Sequence, residues 1–297
     1  MTQTNDLILI TGATGNIGTL VCQNLVKAGL KVRAAYNSPH SKAKALSLGV
    51  TEAVHLDITD PASLDAAFSG VTKAFILVPM HPNMLELGYN MIAAAKRANV
   101  QHVVRISGMG VSPDSPILLG QWHGKTDVRL IDSGIGYTIV RPNSFMQNFI
   151  AYGGEVIKTQ NAIYLPLGDC KVSWVDVRDV AAAASKLLSD SDHIDEIYTL
   201  TGSEALSTDS IAAIFTKQLG RSITYHDVPE TVATKALLDG GMDATMAQAL
   251  AELHATFKAG YGGDITSDLE KILGRSPISF DQFVADHKNS LSNLIKN

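Results

Sequence analysis

Apolar positions along the chain alternate between two periods. Leu7 to Thr11 is a short run rich in β-formers, ended by glycine. Ile17, Leu20, Val21 and Leu25 then recur at helical spacing up to Gly29, which makes one apolar helix face. Lys31 to Tyr36 reads as a second strand, so a βαβ unit closes within about thirty residues. The rhythm continues with strands at Ala53 to Leu56, Ala74 to Pro79, Val103 to Ile106 and Tyr137 to Val140. Between them lie a helix opened by Asp60-Pro61, one carrying Met84, Leu85, Gly88, Met91, Ile92 and Ala95, and one from Lys125 to Ser133. Strands that alternate with helices predict an α/β fold whose parallel sheet is covered on both faces.

After Pro142 the elements shorten, and helix-prone stretches dominate from Thr208 onward. The expected division is a sheet domain over residues 1–143, rejoined by about 172–188. Residues 144–171 and 189–297 would form a smaller, mainly helical C-terminal substrate portion.

Composition narrows the class. Hydrophobic residues make up 45% and charged residues 18%, which suits a globule with a large core. The net charge is −5 with no lysine/arginine run, so nucleic acid is not an expected partner. The start, Met1 to Asp6, lacks the basic-then-apolar pattern of a secretion signal. No apolar run approaches the roughly 18 residues needed to cross a bilayer. Cys22 and Cys170 form no paired framework. The expectation is a cytoplasmic protein with a small-molecule substrate and no membrane partner; a homodimer stays open.

Thr11-Gly12-Ala13-Thr14-Gly15-Asn16-Ile17-Gly18 lies between the first strand and the first helix. Glycines there permit a tight turn and close backbone approach to a pyrophosphate, which the helix N-terminus binds through its exposed N–H groups. The strand before and the helix after make this a Rossmann-type doubly wound sheet with a dinucleotide site over Gly12, Thr14, Gly15, Asn16, Ile17 and Gly18. An NAD-specific site places an acid at the end of the second strand. No Asp or Glu occurs from Leu7 to Thr51, while Arg33, Asn37 and Lys42 are available to a 2′-phosphate. NADP(H) is therefore expected ahead of NAD(H). Asp57 follows the third strand, where it would face the adenine. Val78-Pro79-Met80, Ser107-Gly108 and Pro142-Asn143-Ser144-Phe145 end later strands, and such ends line the ligand crevice.

Together these blocks resemble the NmrA-like group of atypical short-chain dehydrogenase/reductases. The resemblance is carried by the glycine turn, Arg105 to Gly110, Trp122-His123-Gly124, Arg141 to Asn148, and Trp174 to Asp179. It implies that Arg33 and Asn37 hold the adenosine phosphate end, and that Val78, Pro79 and Ser107 line the cofactor. Pro142, Asn143 and Phe145 would pack near the nicotinamide. The group contains reductases of quinones and triphenylmethane dyes, and also redox-sensing regulators without turnover.

Members of the wider superfamily use Tyr-x-x-x-Lys, whose tyrosine passes a proton to a substrate carbonyl. None of the eight tyrosines here has lysine four residues later. The lysine position falls on or near His123, with Lys125 the alternative, and the tyrosine position on Leu119 or Gln121. Alcohol–ketone exchange is thus disfavoured, and hydride delivery to a conjugated acceptor such as a quinone or dye is favoured. Met80, Met109, Trp122, Phe145, Met146, Phe149, Tyr152 and Trp174 are candidate substrate-wall residues, since flat apolar ligands suit methionine and aromatic surfaces. Core packing uses the same residue types. The histidines show no metal-ligand spacing, so no metal is expected. Two functions stay open: an NAD(P)H-dependent reductase, or a non-catalytic NADP(H) sensor acting through a protein partner.

Overall fold

The computed structural model describes residues 6–291; all but the last residue of the polar start, and residues 292–297, lie outside the described residues. The chain begins with β1 (Leu7–Ile10), α1 (Asn16–Lys27), β2 (Lys31–Tyr36), α2 (Pro39–Ser47), β3 (Glu52–His55), α3 (Pro61–Phe68), β4 (Lys73–Ile76) and α4 (Met84–Arg97). It continues with β5 (His102–Ile106), α5 (Leu118–Ile131), β6 (Gly136–Pro142), α6 (Asn148–Ala151), α7 (Gly154–Gln160), β7 (Ala162–Leu165), β8 (Lys171–Val172) and α8 (Val177–Ser189). Then come β9 (Glu196–Leu200), β10 (Leu206–Ser207), α9 (Thr208–Leu219), β11 (Thr224–Asp227), α10 (Glu230–Asp239), α11 (Ala244–Lys258), α12 (Asp268–Leu273), α13 (Phe280–Asp286) and α14 (Lys288–Leu291).

The chain folds as two compact units. The first holds residues 6–116, Gly120–Arg141 and Arg178–Thr199; the second holds Ile117–Leu119, Pro142–Val177 and residues 200–291. In the first unit, seven strands form one sheet in the order β3-β2-β1-β4-β5-β6-β9. The pairs from β3 through β6 are parallel. This is the doubly wound order, with the reversal between β1 and β4 that creates a ligand crevice at the strand carboxyl ends. Leu9, Ile10, Phe75, Val103, Val104 and Ile139 are buried, which is why these strands read as continuous apolar runs rather than as alternation. Asp60 accepts from the Ala62 N–H at 3.0 Å ahead of Pro61, giving α3 both its cap and its first-turn proline.

Two boundaries differ from the expectation. The segment that rejoins the sheet unit is Arg178–Thr199 rather than 172–188. The reason is pairing: β9 takes the sheet edge beside β6, while β8 pairs antiparallel with β10 in the second unit. Helix α5 starts at Leu118, seven residues before Lys125. Gly120 and Gly124 dilute its helical pattern, but Gly124 serves packing. A Cβ there would lie 2.2 Å from the Ser112 carbonyl carbon.

The second unit has two small sheets, β8–β10 and β7–β11, the latter parallel. Its core gathers Phe149, Trp174, Phe215, Phe257, Phe280 and Phe283. Trp174 meets Phe149 edge-on with ring centroids 4.9 Å apart.

Candidate functional site

The phosphate turn is held by side chains below it. Thr11 donates through Oγ1 to the Phe75 carbonyl at 3.1 Å and accepts from the Leu77 N–H at 2.9 Å, which locks the end of β1 to the end of β4. Gly12 has φ of +62°, a conformation that L side chains rarely adopt. A Cβ on Gly18 would lie 2.2 Å from the Gly12 carbonyl oxygen, so only glycine lets α1 start this close to the turn. The N-cap, Gly15, makes no side-chain hydrogen bond, and the first turn of α1 has no acid. The first N–H groups of α1 are therefore left to an anion. These residues fit the diphosphate of a dinucleotide.

The adenosine end corrects the sequence reading. Arg33 sits in mid-strand directly opposite Glu52 of β3. Its guanidinium donates to Glu52 at 2.7 Å and to the Ala67 and Ser69 carbonyls at 2.9 and 2.6 Å. Arg33 ties β2 to β3 and to the end of α3, so it is not available to a 2′-phosphate. Lys42 stays nearby, 5.8 Å from the centre of the Tyr36 ring. The sequence reading gave Lys44 no site role, yet its Nζ donates to the Thr14 carbonyl in the turn at 2.7 Å. Asn37 accepts from Ser41 Oγ at 3.1 Å, ahead of the Ser38–Ser41 capping box of α2. Asp57 closes a local turn, accepting from Thr59 N–H and Oγ1 at 2.9 and 2.7 Å. Those bonds lower its pKa, with the Thr59 hydroxyl the largest cause. Arg33→Ala is expected to change NADPH and NADH affinity by the same factor, within about twofold, whereas Lys42→Ala should weaken NADPH more, since a hydrogen bond to a charged group is worth roughly 1.5–3 kcal/mol. Titrations of both cofactors against both variants would check this.

At the carboxyl ends of β4 and β5, Val78 is buried, while Pro79 and Met80 are exposed. Ser107 is buried and donates to Asp127 Oδ2 at 2.9 Å. That bond belongs to a network the sequence reading missed. Arg105 lies inside β5 and is almost wholly buried; its NH1 pairs with Asp127 Oδ1, itself as buried. Arg141 of β6 donates to Asp127 Oδ2 at 2.9 Å. Arg105 NH2 lies 3.1 Å from His123 Nδ1. Burial first, then the charges of Arg105 and Arg141, push the His123 pKa down to about 3, so the ring is neutral at physiological pH. Burial also lowers Arg105 to about 10, opposed by Asp127. One signal for this network was legible: a charged residue within the fully buried strand Val103-Val104-Arg105-Ile106 must have a partner.

Lys125 does not join His123. Two residues apart on a helix point about 200° apart, and Lys125 Nζ donates to Gln121 Oε1 at 3.3 Å along α5. The proposed substrate wall also divides. Met109 and Trp122 are partly exposed in the sheet unit. Met146, Phe149 and Trp174 are core of the second unit, where their apolar surface is already covered, and Tyr152 is 76% exposed. Pro142, Asn143 and Phe145 belong to the second unit as well. Asn143 Nδ2 donates to Ser173 Oγ at 2.8 Å and to the Gly262 carbonyl at 2.9 Å, and Phe145 bridges to Val175. The Asn143 amide is thus committed to holding that unit together. Among the described residues, no helix is long and apolar enough to cross a membrane.

Known proteins match this architecture along nearly its whole length. The NAD(P)H azoreductase of Xenophilus azovorans is 34% identical over 281 residues, 95% of this chain and 98% of that protein. Quinone oxidoreductase 2 of Escherichia coli is 29% identical, covering 94% of this chain and 98% of its own. The crystal structure of the latter's NADPH complex aligns with a TM-score of 0.84 at 28% identity, over 94% of this chain and 99% of that one. The Citrobacter sp. triphenylmethane reductase complexed with NADP(H) aligns at 0.83 and 25% identity, over 95% and 99%. The model of the NmrA-like family matches residues 4–283, and the chain belongs to that family.

Proposed function

We propose that this chain is an NADP(H)-dependent reductase that delivers hydride to a conjugated small-molecule acceptor of the quinone, azo or dye type. The observation that carries the reading is the glycine turn at the uncapped start of α1, combined with an α5 that contains no tyrosine. The coarser statement, an NAD(P)H-dependent oxidoreductase, rests on relatives that are oxidoreductases along the full chain. NADP(H) is the cofactor that the solved relatives hold. When bound, the dinucleotide supplies hydride. The chain's contribution is to hold the diphosphate at Gly12 to Gly18 and to present a neutral, partly apolar edge at the ends of β4 and β5. A conjugated acceptor takes hydride without a proton donor of ordinary acidity in the same step, so orientation does most of the work.

The test is turnover of NADPH with a naphthoquinone, an azo dye and a triphenylmethane dye, followed by loss of reduced-nicotinamide absorbance. Consumption with at least one acceptor supports the reading. Tight NADPH binding with no turnover on any of them overturns it in favour of a sensor. A sharper expectation concerns the tyrosines. A positioned general acid contributes about 10²–10⁴-fold, so each of the eight Tyr→Phe variants should lose less than about tenfold in kcat. A thousandfold loss in one folded variant, with NADPH affinity intact, would show that a tyrosine acts as the acid after all.

A further inference from the structure

We propose that Arg105 fixes His123 as a neutral imidazole with its one proton on Nε2, and that this N–H donates a hydrogen bond to the acceptor atom on which negative charge develops. The inference rests on the reductase reading and adds which residue touches the acceptor and which residue sets its state. His123 is the catalytic residue in this scheme; Arg105 is a positioning residue.

The tautomer follows from donor counting. A guanidinium carries only donors. Arg105 NH2 stands 3.1 Å from His123 Nδ1, so Nδ1 must present its lone pair and the proton must sit on Nε2. The fork cannot turn away, because NH1 is held by Asp127. Nor can Asp127 swing to the histidine, because Ser107 and Arg141 both hold its Oδ2. In a Ser-His-Asp arrangement, a carboxylate accepts a hydrogen bond from Nδ1–H, which keeps the proton on Nδ1 and leaves Nε2 as a base. Here an arginine occupies the carboxylate's place, so the polarity is reversed and Nε2 is the donor. A neutral histidine acting as an electrophile is a known way to stabilise developing negative charge.

The charges around the ring agree. The charges acting on it are Arg105 from β5 and Arg141 from β6, and Asp127 of α5 pairs with both arginines, two positive charges against one negative. That balance opposes a second proton on the imidazole and favours an anion beyond it. The free edge also lies in the right place. A Cβ built on Gly108, just past the carboxyl end of β5, would lie 3.8 Å from His123 Cδ2, the atom next to Nε2. Nε2 has no hydrogen-bond partner among the described residues.

The redox balance is simple. A C–H bond of the reduced nicotinamide breaks with its electron pair, and a bond to hydrogen forms on the acceptor. A neutral quinone or azo acceptor gains two electrons and carries the negative charge on its conjugated heteroatom, whereas a cationic triphenylmethane dye is neutralised by the hydride and needs neither the donor nor the proton. His123 Nε2–H donates to that atom without giving up its proton, and water supplies the proton that completes the product.

Two experiments test this on the full chain. The first is a long-range ¹H–¹⁵N spectrum of histidine-labelled protein without cofactor. His123 should show the Nε2–H neutral pattern with no titration from about pH 5 to 9. Arg105→Lys, which keeps the charge but loses the fork, should give mixed tautomers or a ring that titrates. If that variant does not fold, the wild-type spectrum still decides: an Nδ1–H pattern, or titration near the ordinary histidine value, overturns the proposal. The second is kinetic. With a quinone acceptor, His123→Leu should lose about 10²–10³-fold in kcat, the usual loss on removing one donor to a developing anion, with little change in the KM for NADPH. His123→Gln, which keeps an N–H near the Nε2 position, should recover most of the activity. The wild-type kcat should be flat where His123 does not titrate. Equal losses for Leu and Gln overturn the donor role. So does a fall in kcat near neutral pH that disappears in His123→Gln. If the wild type reduces none of the acceptors, the reductase reading and the donor role fall together, and the spectrum alone judges what Arg105 does to the ring.

Discussion

Gly15→Asp is expected to remove measurable NADPH binding while the fold survives. Gly15 caps α1 with φ of −82° and ψ of −179°, extended backbone that any residue adopts. A Cβ there would sit 3.3 Å from the Gly12 carbonyl oxygen, a tight contact that a shift of a few tenths of an ångström relieves. Aspartate is also a good N-cap, so the helix start should be no less stable. The carboxylate would then occupy the N–H groups that otherwise receive the diphosphate, and it would bring a like charge against it. Two unit charges about 4 Å apart near a protein surface interact by about 4 kcal/mol. A loss of about 10²–10³-fold in affinity follows from that energy. Calorimetric titration with NADPH, beside a thermal melt, checks both halves. Unchanged affinity in a folded variant would place the phosphate site elsewhere. Gly18→Ala makes a useful contrast. Its Cβ would overlap the Gly12 backbone, so it should damage the turn itself and lower the melting temperature.

Asp127→Asn should be the most destabilising single change among the charged residues of the sheet unit. The carboxylate is almost wholly buried and receives Arg105, Arg141 and Ser107. Asparagine keeps the shape but leaves the buried Arg105 charge uncompensated, and Arg105 Nε already has no hydrogen-bond partner. Breaking a buried pair from one side costs about 3–5 kcal/mol. By comparison, Arg97 and Asp65 are each about half exposed and only 2.6 Å apart. Asp65→Asn should cost under about 1 kcal/mol, because solvent screens the pair. Urea unfolding of the two variants side by side gives the measurement. Equal costs would mean that Arg105 adapts to the loss by finding water or another acceptor. Asp127→Asn should also loosen the Arg105 fork, so His123 ought to lose its single tautomer in any folded fraction.

The sheet, its strand order class and the phosphate turn were legible in the chain because they depend on local rules. A strand buried on both faces must be apolar throughout, as Phe75-Ile76 and Val103-Val104 are. A helix on the sheet must be apolar every three to four residues. A turn that brings backbone onto backbone must be glycine, as at Gly12 and Gly18. Each condition constrains neighbours in sequence, so sequence alone reports it. Helix α5 shows the limit. Gly124 weakens the helical pattern locally, and the close approach to Ser112 that requires it becomes visible only in space.

The candidate site divides the same way. That the dinucleotide site contains no acid at the end of β2 was a sequence fact, but what Arg33 does was not. Its partner, Glu52, is the first acid past the acid-free stretch, and only the register of β2 on β3 sets the two opposite each other. Met146, Phe149 and Trp174 have the composition of a ligand wall, yet packing makes them core. The absence of Tyr-x-x-x-Lys can be read along the chain because it is a spacing. The state of His123 cannot, because it is set by an arginine 18 residues earlier in the chain, itself held by an aspartate 22 residues after it. Sequence determined which elements form and where backbone must come close, since those are short-range constraints. Tertiary structure decided which charges pair and which nitrogen of His123 carries the proton, since Coulombic and hydrogen-bond partners are chosen by distance in space.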